Sequence, residues 1–231
     1  MGKVTIQEYT TKYPLTMIGE QAGICWGSNI SEDEKNIKRA IECILNNHGR
    51  TMEFPDVYLI LDGYSARVCR EWYTHIGGSP TRLQASTRYI NYTDFPYVIP
   101  PKIDLNEQAN KIYTDTMKTI SDSLNQLIEM GIPKEDASML LPLGMETKVV
   151  CKHNLRNLFD MSHQRMCMRA YWEYRELFND LCIALMKYSP QWKEIVLNCF
   201  KPKCEYFGYC NEKYSCGKCS IKKDNDWIQG N

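Results

Sequence analysis

The chain has no net charge, no apolar run of membrane-crossing length and only four histidines. With 28 basic side chains against 28 acidic ones, no overall field recruits nucleic acid or an acidic membrane. Neutrality leaves room for a local cationic cluster, which is all that a nucleotide-sized anion needs. No segment approaches the length of a transmembrane helix, and the start, Met1-Gly2-Lys3-Val4-Thr5, is expected to be neither a secretory leader nor a myristoylation site. His48, His75, His153 and His163 form no recognisable triad pattern and no Gly-x-Ser-x-Gly surrounds Ser86, so that serine is not read as a hydrolase nucleophile. Internal repeats and low-complexity tracts are also missing. Cysteine, by contrast, is plentiful but odd in number, at 11 scattered residues. That usage suits buried thiols in a reducing cytoplasm better than a disulfide framework.

A chain of 231 residues can bury one substantial core. Its patterning predicts a helix over Ser31–Asn47, with a Ser31–Glu34 capping box, an apolar face of Ile37, Ala40, Ile41, Ile44 and Leu45, and Gly49 as terminator. Val57–Leu61 reads as a buried strand and Ser65–Thr74 as a helix. Prolines keep residues 93–102 extended. Leu105–Met130 is a long helix ended by Gly131, with Ile112, Ile120, Leu124, Leu127 and Ile128 facing the core. A short helix over Lys134–Leu141 and an alternating strand over Thr147–Cys151 follow. Residues 154–188 are mostly helical with a break near His163, and a last helix runs from Pro190 to Cys199. Few strands set among helices give a mixed class, α/β or α+β.

The run Arg82-Leu83-Gln84-Ala85-Ser86-Thr87-Arg88-Tyr89 packs two guanidinium groups, an amide, two hydroxyls and a phenol into eight residues after a Gly-Gly-Ser-Pro turn at 77–80. The rigid donor fork of arginine suits phosphate, and Ser, Thr and Gln can complete an anion or uracil-like edge. A solvated loop is the competing reading, with Arg88 in a surface ion pair. Near the end, Cys204, Cys210, Cys216 and Cys219 include one C-x-x-C pair. Four thiolates could hold zinc, while irregular spacing equally fits free thiols on a packed tail.

Three blocks together resemble the flavin-dependent thymidylate synthases. That family carries R-H-R-x-x-S-x-N-E-x-S-x-R-Y, then N-x-R-x-L, an arginine eleven residues after that Asn, and A-Q-W-E-I. Ser86, Arg88 and Tyr89 match the end of the first signature. Asn154, Arg156 and Leu158 match the second, Arg165 falls at the right interval, and Ala170-Tyr171-Trp172-Glu173 stands for A-Q-W-E. Glu135-Asp136-Ala137 and Leu141-Pro142 also look like the family, and the resemblance covers roughly residues 15 to 200. The first half of the signature departs from it. After Arg70-Glu71-Trp72-Tyr73, the R-H-R positions read Thr74-His75-Ile76, so the histidine stays and both arginines are gone. Leu83-Gln84 stands for Asn-Glu, and Ser138 lies where many relatives have a nucleotide-contacting arginine.

The resemblance implies a central mixed sheet with a helical layer. It also implies a homotetramer with active sites between subunits, and a synthase domain over residues 1–200 followed by a Cys-rich tail over 201–231. It implies methylation of deoxyuridine monophosphate in the cytoplasm, using methylene-tetrahydrofolate, FAD and NADPH as reductant. Nucleic acid and membrane are not expected partners. Arg165 and Ser86 become catalytic candidates, Arg165 beside the pyrimidine ring. Gln84, Ala85, Ser86, Thr87, Arg88, Glu71 and Arg165 become substrate contacts. His75, Arg50, Asn154, Leu155, Arg156 and Asp160 become the flavin side. The lost arginines leave a second reading, a relative that keeps the pyrimidine nucleotide but has given up flavin or performs different one-carbon chemistry.

Overall fold

A computed structural model describes residues 2–77 and 80–221. Gly78 and Ser79 of the expected turn lie outside the described residues. In chain order the elements are β1 (Lys3–Ile6), α1 (Pro14–Cys25), α2 (Asp33–Leu45), one turn of tight helix at Thr51–Glu53, β2 (Asp56–Ser65), α3 (Ala66–Trp72) and β3 (Thr81–Gln84). Then come α4 (Pro101–Asp104), α5 (Glu107–Glu129), α6 (Lys134–Ala137), β4 (Glu146–Asn154), α7 (Leu155–Arg165), α8 (Trp172–Tyr188), α9 (Pro190–Cys199) and α10 (Lys203–Phe207). The four strands form one sheet in the order β1-β2-β4-β3. Pairing is antiparallel where a mixed sheet was expected, and helices accompany the sheet as anticipated for the α/β class. The alternation that marks β2 and β4 is plain in burial: Val57, Leu59, Leu61, Val149 and Cys151 are all buried.

The chain divides into two compact units, each assembled from separate stretches. As far as they are described, one comprises Met1–Thr5, Leu59–Thr74 and Thr81–Cys151, and the other Ile6–Tyr58, His75–Pro80 and Lys152–Asn231. In the first unit, Phe95, Met117, Leu124, Ala137 and Met145 form a core against which Tyr97, Tyr113, Ile120 and Leu127 pack. Asn106 caps α5 by accepting from the Ala109 amide, and Gly131 leaves the helix at φ +83°, the terminator expected of it. Ile112 points elsewhere and is 62% exposed, because Met117 and Ser121 fill the inner face instead. Ser65 caps α3 through the Val68 amide at 3.1 Å.

In the second unit α1 packs on α2, α8 on α9, and α7 on both α8 and α10. Trp192 is fully buried, and its indole N–H donates to the Thr11 carbonyl at 2.7 Å. The capping box expected at Ser31 does not form. α2 starts at Asp33 with Glu32 at the cap position, whose carboxylate takes Lys35 at 2.7 Å and caps no backbone amide. Its inner face is Asn36, Ala40, Cys43 and Ile44, so Leu45 is left 71% exposed. Asn47, at φ 55°, makes the left-handed exit assigned to Gly49. The rotation has a cause in α1: at Gly19 the helices come so close that a Cβ would lie 1.9 Å from the Asn36 carbonyl oxygen. Arg39 locks this crossing by donating to the Gly19 carbonyl and the Asn36 side chain, each at 2.8 Å. The break in the 154–188 helix falls at residues 166–171, just after His163.

Candidate functional site

The first unit holds the Arg82–Tyr89 run. Its first part is a strand rather than a loop: β3 lies at the sheet edge, and the Ala85 amide extends the ladder to the Lys148 carbonyl at 2.8 Å. Gln84 donates to the Thr147 hydroxyl at 3.3 Å. A turn follows, in which the Ser86 hydroxyl accepts the Arg88 amide at 3.2 Å and the Ser86 carbonyl accepts the Ile90 amide. Thr87 sits inside that turn. Arg88 reaches Glu135 through Nε at 2.8 Å, and its guanidinium lies 5.8 Å from the Tyr89 ring. Both partners are mostly solvated, at 63% and 53% side-chain exposure, so the pair is weak and exchangeable. Glu71 lies on α3 within 4.0 Å of Arg67. Arg82 covers the Tyr73 ring at 4.8 Å and donates to the Trp72 carbonyl.

The second unit holds the remaining candidates, and α7 organises them. Asn154 caps this helix, accepting the Asn157 amide at 2.9 Å, while Arg165 is its last residue. The eleven-residue interval noted in the sequence is thus the length of one helix, about 16 Å along its axis. A cation at the C-terminal end also meets the negative end of the helix dipole. Arg165 Nε donates to His75 Nε2 at 2.8 Å, and its guanidinium lies 4.5 Å from the centroid of buried Tyr174. His75 meets the same ring edge-on at 6.0 Å.

At the start of α7, Leu155 is packed in the core and Arg156 turns outward. Glu53 takes Arg156 on one carboxylate oxygen at 2.8 Å and Arg50 on the other at 3.2 Å. Two guanidinium groups therefore stand side by side on one carboxylate. Gly49 makes room, since a Cβ there would come 2.7 Å from the Arg156 Cζ. Asp160 follows on α7. Desolvation raises its carboxyl above the ordinary range, against the pull of Arg156 and His163. Burial likewise pushes the His163 imidazole down, with Asp160 opposing.

A cleft of about 660 Å³ opens in this unit, with Asp160, His163, Arg165 and Arg169 among its lining residues. The tail supplies Cys204, Cys210, Cys216 and Cys219 to it, and Cys167 joins them. Burial first, then the hydrogen-bonded Cys219 thiol, pushes Cys204 up to about 11. Among the described residues no group of three or more His, Cys, Asp or Glu is arranged to hold a metal ion.

Glu135 and Glu53, the carboxylates that hold Arg88, Arg50 and Arg156, were not among the expected site residues, and neither was Tyr174 under Arg165. An acid that pairs with a distant arginine leaves no spacing signal, although Glu135 and Tyr174 both lie in or beside the motif blocks.

The family model described as "Thymidylate synthase complementing protein" matches residues 6–191. The chain is 31% identical over 229 residues to the flavin-dependent thymidylate synthase of Pyrococcus furiosus, covering 92% of this chain and 91% of that one. It is 27% identical over 248 residues to the protein of that name from Clostridium tetani, covering 96% and 95% respectively. With the corresponding protein of Geobacter sulfurreducens it shares 26% identity over 185 residues, covering 76% and 78%.

Proposed function

Because the chain belongs to the thymidylate synthase complementing protein family, we propose that it methylates deoxyuridine monophosphate to thymidylate with a flavin. Methylene-tetrahydrofolate is the one-carbon donor, FAD the flavin and NADPH its reductant, in the cytoplasm. Arg165 carries this reading. It ends α7 at the interval from Asn154 that the motif calls for, and its side chain is held at the cleft wall by His75 and Tyr174. A cation beside a uracil carbonyl and N3 stabilises the charge that develops in the ring and makes C5 more nucleophilic. Arg88 takes the phosphate, aided by the Ser86 hydroxyl and the turn around Thr87, once the nucleotide displaces Glu135. Gln84, Ala85 and Glu71 complete the nucleotide side.

The donor set fits FAD. Arg50 and Arg156, paired through Glu53, offer two adjacent cations to a diphosphate, and the Asn154 cap fixes the helix start that carries Arg156. When bound, the flavin supplies the hydride that side chains cannot. His75 and Asp160 are the other flavin-side candidates. The chain assembles as a homotetramer with shared sites. Residues 1–200 form the synthase domain, and 201–231 a tail whose described cysteines line the cleft.

Thr74 and Ile76, in place of the two signature arginines, favour a second reading in which the nucleotide is bound and flavin is not. Titration with FAD, followed by flavin fluorescence quenching, separates the two. Saturable binding, with nucleotide-dependent flavin reoxidation in the presence of methylene-tetrahydrofolate, supports the synthase. No binding at high micromolar FAD, with intact nucleotide binding, leaves the second reading.

A further inference from the structure

We propose that Cys204 and Cys219 form a dithiol site that closes to a disulfide and ties the tail across the cleft, whatever ligand that cleft takes. The tail folds back on itself to bring the two together. α10 docks on α7 through Tyr206, whose ring lies 4.7 Å from His163 and 5.8 Å from Phe159. Cys204 is the second residue of α10. Two ties then return the chain to it. Lys218 pairs with Glu205, so the residue before Cys219 is bonded to the residue after Cys204. The Cys210 amide donates to the Ser220 carbonyl at 2.7 Å, one residue beyond Cys219. Between these ties the Cys204 and Cys219 thiols meet in a hydrogen bond. Both are half-buried, whereas Cys210 is buried and Cys216 exposed. Five cysteines line the cleft, yet among the described residues no three His, Cys, Asp or Glu converge as a metal needs. Two thiols in contact are instead the reactants of thiol–disulfide exchange. The tail is otherwise held to the cleft wall by Arg169, which donates to Glu212 at 3.1 Å. Solvated ion pairs of this kind come and go in water, and a covalent bond does not.

The oxidant is a low-molecular-weight disulfide. Burial holds the proton on Cys204, so Cys219 attacks first as the thiolate, breaks the reagent's S–S bond and releases one thiolate. Cys204 then attacks the mixed disulfide. The Cys204–Cys219 bond forms and the second thiolate leaves. The dithiol gives up an electron pair, the reagent takes it, and both protein protons end on the released thiols.

The test uses the full chain, purified with reductant, freed of it, and incubated with oxidised glutathione. Remaining thiols are alkylated, and tryptic peptides are read by mass spectrometry without reduction. The peptide that starts at Cys204 should be linked to the one that starts at Cys219, with alkylation lost at both. Cys204→Ser and Cys219→Ser should each lose the linkage. Cys210→Ser, which clears the other thiol from the Cys204 peptide, and Cys216→Ser should keep it. Thermal melts confirm that the variants fold. Alkylation of Cys167, on the cleft wall, reads the tether. It should slow several-fold in the oxidised chain, recover when dithiothreitol reopens the bond, and show no slowing in Cys204→Ser. Linkage through Cys167, Cys210 or Cys216 overturns the pair, and so does glutathione left as a mixed disulfide with no internal bond. A metal ion that purifies with the chain and is released when these thiols are alkylated overturns it as well. A Cys167 rate that is the same in both forms overturns the closure of the cleft.

Discussion

Replacing Gly19 with alanine tests how tightly α1 and α2 are locked. The new Cβ would lie 1.9 Å from the Asn36 carbonyl oxygen, 2.4 Å from its carbon and 2.6 Å from its Cα. All three are backbone atoms, so no side-chain rotation relieves the clash. Restoring ordinary contact means moving one helix by about 1.5 Å, and misfit of that kind costs about 1–3 kcal/mol. The shift also pulls on the two Arg39 bonds that bridge Gly19 and Asn36, each contributing about 0.5–1.5 kcal/mol. Alanine returns about 1 kcal/mol through helix propensity. The net expectation is a loss of about 2 kcal/mol, given these opposing magnitudes. Urea denaturation followed by circular dichroism should show a lower midpoint with the slope unchanged. Gly23→Ala is the milder comparison: its Cβ would meet side-chain ends, Arg39 Nη1 at 2.5 Å and Ile30 Cγ2 at 2.7 Å, so it disturbs the Arg39 bonds without a clash between helix backbones. A midpoint for Gly19→Ala at or above wild type, or above that of Gly23→Ala, would refute the close-crossing argument.

Arg88→Ala should weaken deoxyuridine monophosphate binding by about 1.5–3 kcal/mol, while Glu135→Ala, which only frees Arg88 from an exposed pair, should leave urea stability within about 0.5 kcal/mol of wild type; calorimetry and denaturation check the two. Ser65→Ala removes the α3 cap and should cost about 0.5–2 kcal/mol of stability, read from the urea midpoint. Burial pushes the Cys151 and Cys182 thiols up to about 12, from an ordinary 9.0. Between those values the unfolded thiols have lost protons that the folded ones keep. Stability contributed by each is therefore full below pH 9.0 and falls by about 1.4 kcal/mol per unit above it. Stability that stays flat from pH 9.0 to 11, or alkylation of Cys151 as fast as that of exposed Cys25, would contradict this burial. Light scattering should give the mass of four chains, and a monomer at micromolar concentration would remove the shared-site tetramer.

Elements with their own periodicity and punctuation were legible in the sequence. α5 has Asn106 before it and Gly131 after it, and α9 begins at Pro190 as expected. β4 shows its alternation directly. α2 was legible as a helix but not in its rotation. The apolar pattern pointed Ile41 and Leu45 inward along with Ala40 and Ile44, whereas the close approach at Gly19 brings Asn36 there and leaves Ile41 and Leu45 exposed. That demand lives on another helix and leaves no mark in α2. β1, α1 and β3 were missed because they are short or lack a clear period, and sheet pairing defines β1 and β3. The site shows the same division. Motif spacing picked out Arg88, Asn154, Arg156 and Arg165. Their carboxylate and aromatic partners come from distant stretches, as Glu53 does for Arg156, and only folding brings them together. His75 was legible as a motif remnant, but its bond to Arg165 joins residues 90 positions apart.

The interleaving of the two units sets an order on biosynthesis. Ile6–Tyr58 leaves the ribosome early, yet most of the unit it belongs to begins only at Lys152. The Leu59–Cys151 region emerges between them and holds nearly all of the other unit. α1 and α2 can pair at once, but the surfaces destined for α7 and α9 must wait through that whole interval, still wet and apolar. Such long-range closure is slow by nature. Premature termination anywhere before about residue 200 would strand an unfinished half, so this chain should depend on holdase chaperones during translation more than a protein whose units follow one another in line.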